Sequence, residues 1–186
     1  MKHAIYAVTF LAILPTALGC RAMPASTDTL ELAGEYGSII YSSPQNGVWE
    51  EISYINQTTE KKLFSGQSAY FEPSQESDFS HSEIYLKINK ISYGTTQVGS
   101  DQQEDYERFY CAFIDMRTGC IARQETGSFC GGTWSSRNDH WLWTGEEVVI
   151  DPRLDSSFSL DNLAEYFVEI GGSENASACA KNATEK

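Results

Sequence analysis

Four cysteines in the second half of the chain, Cys111, Cys120, Cys130 and Cys179, constrain its folding more than any other feature. Eight and nine residues separate the first three. That spacing fits neither the compact C-x-x-C zinc pattern nor the C-x-x-C motif of redox catalysts. In an oxidising compartment four such cysteines form two disulfides, with three possible pairings. The other end of the chain says which compartment applies. Lys2 precedes an apolar run from Ala4 to Leu14, Pro15 ends the run, and small residues follow up to Cys20. This is the layout of a secretory leader. The run falls short of the roughly 20 apolar residues that a membrane-spanning helix needs, and no other stretch comes close. The expectation is an exported chain, with residues 1–19 as signal peptide and the four cysteines in structural disulfides.

Ala17-Leu18-Gly19-Cys20 resembles the cleavage box of bacterial lipoproteins, which makes Cys20 the lipidated first residue of the mature chain. Ala-x-Gly also suits ordinary cleavage after Gly19. Lipidation of Cys20 accounts for the fifth cysteine and leaves an even number for disulfides. More than one acyl chain on it supplies stable anchoring, which a single chain does not. The expectation is a periplasmic protein that meets the membrane only through its N-terminal lipid.

The chain carries 26 acidic and 13 basic residues, a net charge of −13, and loss of Lys2 with the leader makes it −14. Such a surface repels nucleic acids and anionic headgroups and attracts cationic partners. It also serves solubility alone. The 167 residues after the leader suffice for one domain with a real core.

Residues 20–34 are small and polar and read as a lipidated N-terminus and tether. Residues 35–172 read as one β-rich domain, and 173–186 as a polar tail that Cys179 can tie down. Residues 35–42 and 48–55 pattern as strands around Pro44-Gln45-Asn46-Gly47, where Asn-Gly is the strong hairpin signal. Two short runs follow within 61–71, then a loop over 72–82. Residues 83–93 form the cleanest strand, with Ile84, Leu86, Ile88 and Ile91 close to a period of two. Residues 94–107 read as a polar, acidic connection. Residues 109–116, 120–124 and 128–134 read as a three-strand meander with one cysteine per strand. Two of these cysteines staple it and the third catches Cys179. One helix is expected, with Ser159 as N-cap, 160–170 as body and Gly171-Gly172 as stop. Leu160, Leu163, Ala164 and Phe167 form its apolar face. These elements predict a mainly β (β-rich α+β) fold, an antiparallel sandwich or bent sheet with one C-terminal amphipathic helix.

Two surfaces stand out. Asp161, Glu165 and Glu169 recur at i, i+4 and i+8 opposite the apolar face, with no Lys or Arg in the helix. Like charges so spaced weaken a helix slightly, and an acid near its C-terminal end opposes the macrodipole. With Glu146, Glu147 and Asp151 nearby, they read either as a solvated face or as a site for a basic partner. Residues 131–147 hold Trp134, Trp141, Trp143 and Arg137 among small polar residues. Trp and Arg are typical interface anchors, but Trp141 and Trp143, two apart, also suit the core side of one strand.

Catalysis is poorly supplied. His81 and His140 are the histidines beyond the leader. The run 78–83 holds Ser, His and Asp too close in sequence for a triad and lacks a G-x-S-x-G elbow. Acids are plentiful enough for a glycosidase pair, with no spacing that selects one. Asp101, Glu104 and Asp105 lack the EF-hand pattern. No metal, cofactor or nucleic-acid partner is expected. Glycosylation acceptor patterns begin at Asn56, Asn175 and Asn182 and matter only in a eukaryotic setting.

In leader, size, charge and cysteine content the chain resembles the small acidic envelope lipoproteins that inhibit or neutralise other proteins. Among these are immunity proteins against periplasmic effectors and inhibitors of cell-wall hydrolases. No motif carries the resemblance, so it transfers no residues. It implies a non-enzymatic binding protein for a basic, lytic partner. Acidic residues would steer the encounter and the tryptophans with Arg137 would anchor it. The alternatives are a structural accessory lipoprotein of an envelope or secretion machine, and a cell-wall or sugar hydrolase. Oligomeric state is left open.

Overall fold

Asn46 and Gly47 have φ of 51° and 89°. That pair of positive values makes a two-residue type I′ turn, whose twist matches the strands it joins. The turn connects β2 (Ser38–Gln45) to β3 (Val48–Ile55), with Gln45 opposite Val48. In the computed structural model, which describes residues 28–99, 102–155 and 162–181, these strands belong to a large antiparallel sheet. It also contains β1 (Thr29–Ala33), β4 (Glu60–Lys62), β5 (Ala69–Glu72), β6 (Tyr85–Val98), β7 (Gln102–Asp115) and β8 (Cys120–Thr126). The order is β1-β2-β3-β5-β6-β7-β8, with β4 beside β3. A second sheet holds β9 (Thr133–Trp134), β10 (His140–Trp143) and β11 (Glu146–Val149), with β10 in the middle. The large sheet curls far enough that the Tyr54 hydroxyl of β3 donates to the Met116 carbonyl just past β7, at 2.7 Å.

Strand alternation sends side chains to opposite faces. Leu86, Ile88, Ala112, Ile114 and Ile121 share one face of β6, β7 and β8 and are fully buried. Phe113 points to the other face, where Trp141, Trp134 and Phe129 meet its ring edge-on at 5.1, 5.6 and 6.0 Å. That aromatic cluster joins the two sheets.

The helix α1 (Leu163–Lys181) breaks at Gly172, which has φ 79° and ψ 179°. Glycine adopts such a conformation without steric cost. The first half buries Leu163, Phe167 and Ile170, and the second buries Ala178 and Cys179. Buried Asn175 fastens the helix to the edge of the sheet. Its Oδ1 accepts the Ile121 N–H at 2.7 Å, and its Nδ2 donates to the Ile121 and Phe167 carbonyls at 3.1 Å. The amide thus stands in for a neighbouring strand on β8, which would otherwise expose an open edge.

Cys111 pairs with Cys130, and Cys120 pairs with Cys179. Beside the second disulfide lies a charged seam. Arg153 clamps Asp151 with Nε and Nη2 at 2.7 and 2.6 Å, and its Nη1 donates to the Cys179 carbonyl at 2.7 Å. Arg117 grips fully buried Asp115 in the same two-pronged way, at 2.9 and 2.7 Å, and Arg153 comes within 4.0 Å of that carboxylate. Both guanidinium groups are held more firmly protonated than free arginine. For Arg117 the hydrogen bond to Asp115 is the main cause, while for Arg153 the Asp151 bond outweighs desolvation.

The structure departs from the sequence expectations in five places. Thr29–Ala33, expected in the tether, pairs with β2. The span read as a connection instead extends β6 and β7, residues 94–98 and 102–107 pairing in register from Gly94–Tyr106 to Val98–Gln102. Residues 128–134 are not a third meander strand. Gly127–Gly131 is a 3-10 turn carrying Cys130, and Thr133–Trp134 joins the second sheet. The chain after Gly172 is helical rather than a polar tail, because Asn175, Ala178 and Cys179 find a packed surface. Ala164 is exposed, so Ile170 takes its place on the apolar face. The leader, Cys20, Ser159, Leu160, Asp161 and Asn182 lie outside the described residues.

Candidate functional site

The residues singled out from sequence divide sharply by environment. Trp141 is 1 % exposed, and its Nε1 donates to the Phe129 carbonyl at 2.8 Å. Trp134 is half-buried, with its Nε1 on the Asp78 carbonyl at 2.7 Å. Trp143 lies on Phe129 at 5.3 Å between ring centres. The tryptophans therefore build the junction between the sheets, and Trp141 is closed to any partner. Asp151 is likewise buried and spent on Arg153. Arg137 is exposed. Glu147 accepts from His140 at 3.1 Å and Asn138 at 3.2 Å, chiefly the former holding its carboxyl below the usual range. Glu146, Glu165 and Glu169 are exposed, with no basic partner among the described residues.

The Ser/His/Asp set of residues 78–83 does not assemble. Asp78 pairs with Lys87 at 3.0 Å, and Ser80 Oγ accepts the Tyr85 N–H. Asp139, not Asp78, meets Ser82, taking its N–H at 2.9 Å and its hydroxyl at 2.6 Å. Burial works to raise the Asp139 pKa, but the Ser82 bonds outweigh it and the carboxyl stays low. The bonds lock two loops together and present no free nucleophile. Among the described residues no group of His, Cys, Asp and Glu converges as a metal site. Asn175, the start of one glycosylation pattern, is fully buried and bonded on both sides of its amide.

Chemistry converges instead around a residue that the sequence did not flag. Lys90 of β6 is 2 % exposed. It occupies an inward position of its strand, two residues on from Ile88. Its Nζ donates to Gln67 Oε1 at 2.5 Å and to Gln124 Oε1 at 2.8 Å. It also lies over the Phe64 and Tyr110 rings, 4.7 and 5.2 Å from their centres. The Gln67 amide is itself oriented by its Nε2, which donates to the Ile170 carbonyl of α1 at 3.1 Å. Every partner of this ammonium among the described residues is neutral, and desolvation lowers its pKa to about 8. A buried, shifted lysine lining a cleft is the kind of group that marks functional sites.

The cleft has a volume of about 570 Å³ and lies where the outer ribbon of β6 and β7 leaves the body, beside α1. Lys90, Gln67 and Gln124 line it together with Ser92, Tyr106 and Glu169. Of the sequence-derived candidates only Glu169 belongs to it. The parity of Leu86, Ile88 and Lys90 was the signal that could have found Lys90, since a lysine on the apolar side of a strand must be buried or bend away.

Above the cleft the ribbon is open on both edges. β5 pairs with β6 only as far as Ser92, and β8 pairs with β7 only from Tyr110. Val98, Tyr106 and Phe109 are exposed there by 42, 44 and 42 %, interleaved with Glu104, Asp105 and Glu107. No described helix is long and apolar enough to cross a membrane. No family model, curated protein or solved structure matches the chain.

Proposed function

We propose that the chain is an exported envelope protein, held in the periplasm through lipidated Cys20, that binds a basic protein partner without catalysis of its own. The observation that carries this reading is the outer ribbon of β6 and β7. It displays Tyr106, Phe109 and Val98 beside Glu104, Asp105 and Glu107, with no covering layer among the described residues. Exposed aromatic groups supply affinity, and carboxylates around them steer a cationic partner. Glu165 and Glu169 add unpaired negative charge on the exposed side of α1, and the net charge of −13 extends the field. Two disulfides suit an oxidising compartment. With the tryptophans committed to the core, the ribbon takes over the anchoring role expected of them.

The test uses the exported chain with Cys20→Ala as bait against envelope and secreted proteins of its own cell, at low and moderate salt. The expected result is one basic protein in stoichiometric amount, recovered less as salt rises. Glu107→Lys combined with Glu165→Lys and Glu169→Lys should abolish recovery while leaving the unfolding transition in place. Undiminished binding by that triple variant would sink the reading. Turnover of a wall or sugar substrate by the isolated chain would favour a hydrolase in its place.

A further inference from the structure

We propose that the cleft at the root of the ribbon binds a small sugar acid, its carboxylate on Lys90 and its ring against Tyr106. The site borders the protein-partner surface and shares Tyr106 and Glu169 with it, but Lys90 belongs to the cleft alone, and the proposal rests on three observations. The first is an uncompensated charge. Lys90 is buried, yet Gln67, Gln124, Phe64 and Tyr110 surround it with dipoles and ring faces only. A buried ammonium without a counter-ion is costly, and an entering carboxylate supplies the missing charge. Ammonium has three donors, and the two glutamine oxygens occupy two of them.

The second observation is the character of the walls. Ser68, Ser92 and Thr95 bring hydroxyl groups that both donate and accept, as the hydroxyls of a sugar require. Glu169, exposed on the helix side, accepts from sugar hydroxyls and disfavours a ligand with a second negative charge. The third is Tyr106, a ring 44 % exposed at the cleft edge. Its aromatic face suits the C–H side of a pyranose, and its small neighbour Gly94, directly across the ribbon, leaves that ring room. A cleft of about 570 Å³ accommodates a monosaccharide with its hydration.

Charge on the ligand side of Lys90 depends on the groups around it. These are Tyr110 and Tyr106 on β7, Tyr93 on β6 itself and Glu169 on α1. Raising the pH through about 8 strips the proton from Lys90, so acid recognition should fade on the alkaline side.

The experiment titrates the disulfide-intact chain with D-galacturonate, with neutral D-galactose and with acetate, following binding by calorimetry and by the NMR signal of the Lys90 Nζ protons. Galacturonate should bind saturably and on the order of tenfold more tightly than galactose, and lose on the order of tenfold in affinity between about pH 6.5 and 9.5. Lys90→Met should erase the preference for the acid, and Tyr106→Ala, at an exposed position, should weaken both sugars without unfolding the chain. Acetate binding as tightly as galacturonate would overturn the sugar assignment. Equal binding of galactose, unchanged binding by Lys90→Met, or no saturable binding of galacturonate would overturn the site. Partner capture by the ribbon carboxylates is read in a separate assay, so failure here leaves that reading standing.

Discussion

Two of the places where the molecule turns basic groups toward its interior treat them in opposite ways. At the seam between the second sheet, β7 and the end of α1, Arg117 and Arg153 face Asp115 and Asp151 at hydrogen-bonding distance. On the far side of the large sheet, Lys90 has amide oxygens and ring faces alone. The seam gathers the ends of three elements and satisfies their charge internally, so it has nothing left to offer a ligand. The Lys90 site meets the geometric needs of its charge and leaves the electrostatic need open. Full compensation belongs to a weld, and incomplete compensation next to a cleft belongs to a place where something else binds.

The largest effect expected from breaking this contrast is at the seam. Asp115→Ala removes the three hydrogen bonds that this buried carboxylate accepts from Arg117, and the second acid near Arg153, which keeps Asp151; it should cost about 3–5 kcal/mol, read as a lower urea midpoint with little change in slope. Next comes the covalent part of the same seam. Replacing Cys120 and Cys179 together by Ser opens a link across 59 residues and should cost about 2–4 kcal/mol. Hydrogen exchange should then rise first in α1, whose last turns the disulfide holds. If α1 exchanges no faster in that variant, the Asn175 and Arg153 contacts alone secure it.

The Lys90 side responds to pH with a definite sign. Its pKa is about 8 folded and 10.5 as the unfolded reference. Between those values the unfolded chain binds more protons, so stability rises as pH rises from 8 towards 10.5 and the penalty of burying the charge is relieved. The rise should reach up to roughly 3 kcal/mol, seen as the difference between the native chain and Lys90→Met, which should not show it. Taking the difference matters because Tyr41, Tyr54, Tyr85 and Tyr166, all raised by burial, lose stability in the opposite sense as pH passes 10.

The smallest effect extends the contrast to neutral groups. Trp141 and Trp134 each donate to a carbonyl, while the buried Nε1 of Trp143 finds no acceptor among the described residues. Trp143→Phe removes that donor and should be neutral or stabilising by about 1 kcal/mol, measured by thermal unfolding. A loss beyond about 2 kcal/mol would mean that packing area on Phe129 outweighs the orphaned N–H.

How far the sequence could be read follows from which forces act locally. Asn46-Gly47 and Gly172 were legible because backbone conformation at positive φ depends on the residue itself. Two disulfides and a mainly β fold followed from cysteine content and alternation. The ribbon of residues 94–107 was not legible, because both its faces meet water and no apolar period marks it as strand. The second half of α1 was missed since its helicity comes from docking Asn175 and Cys179 onto β8, a contact 54 residues distant in the case of Asn175. Lys90 is hidden in the sequence because apolar residues carry the strand pattern, and Ile91 on the opposite face continues it by one residue out of step. Trp141 and Trp143 carried two meanings that only tertiary packing separates.

The order of strands in the large sheet has a consequence for how the molecule is made. Except that β5 pairs with β3 past short β4, every strand of this sheet pairs with its neighbour in the chain, so the ladder grows through hairpins that close small loops. Such local growth is fast compared with sheets built from distant strands. The second sheet and α1 bring their contacts from farther along the chain, and Cys120 must wait for Cys179. Pulse-labelled exchange during oxidative refolding should therefore protect β2, β3, β6 and β7 before α1. During oxidative refolding the Cys111–Cys130 link, 19 residues apart, should close ahead of the longer one, so that the last step finds the body of the sheet already in place to receive the helix.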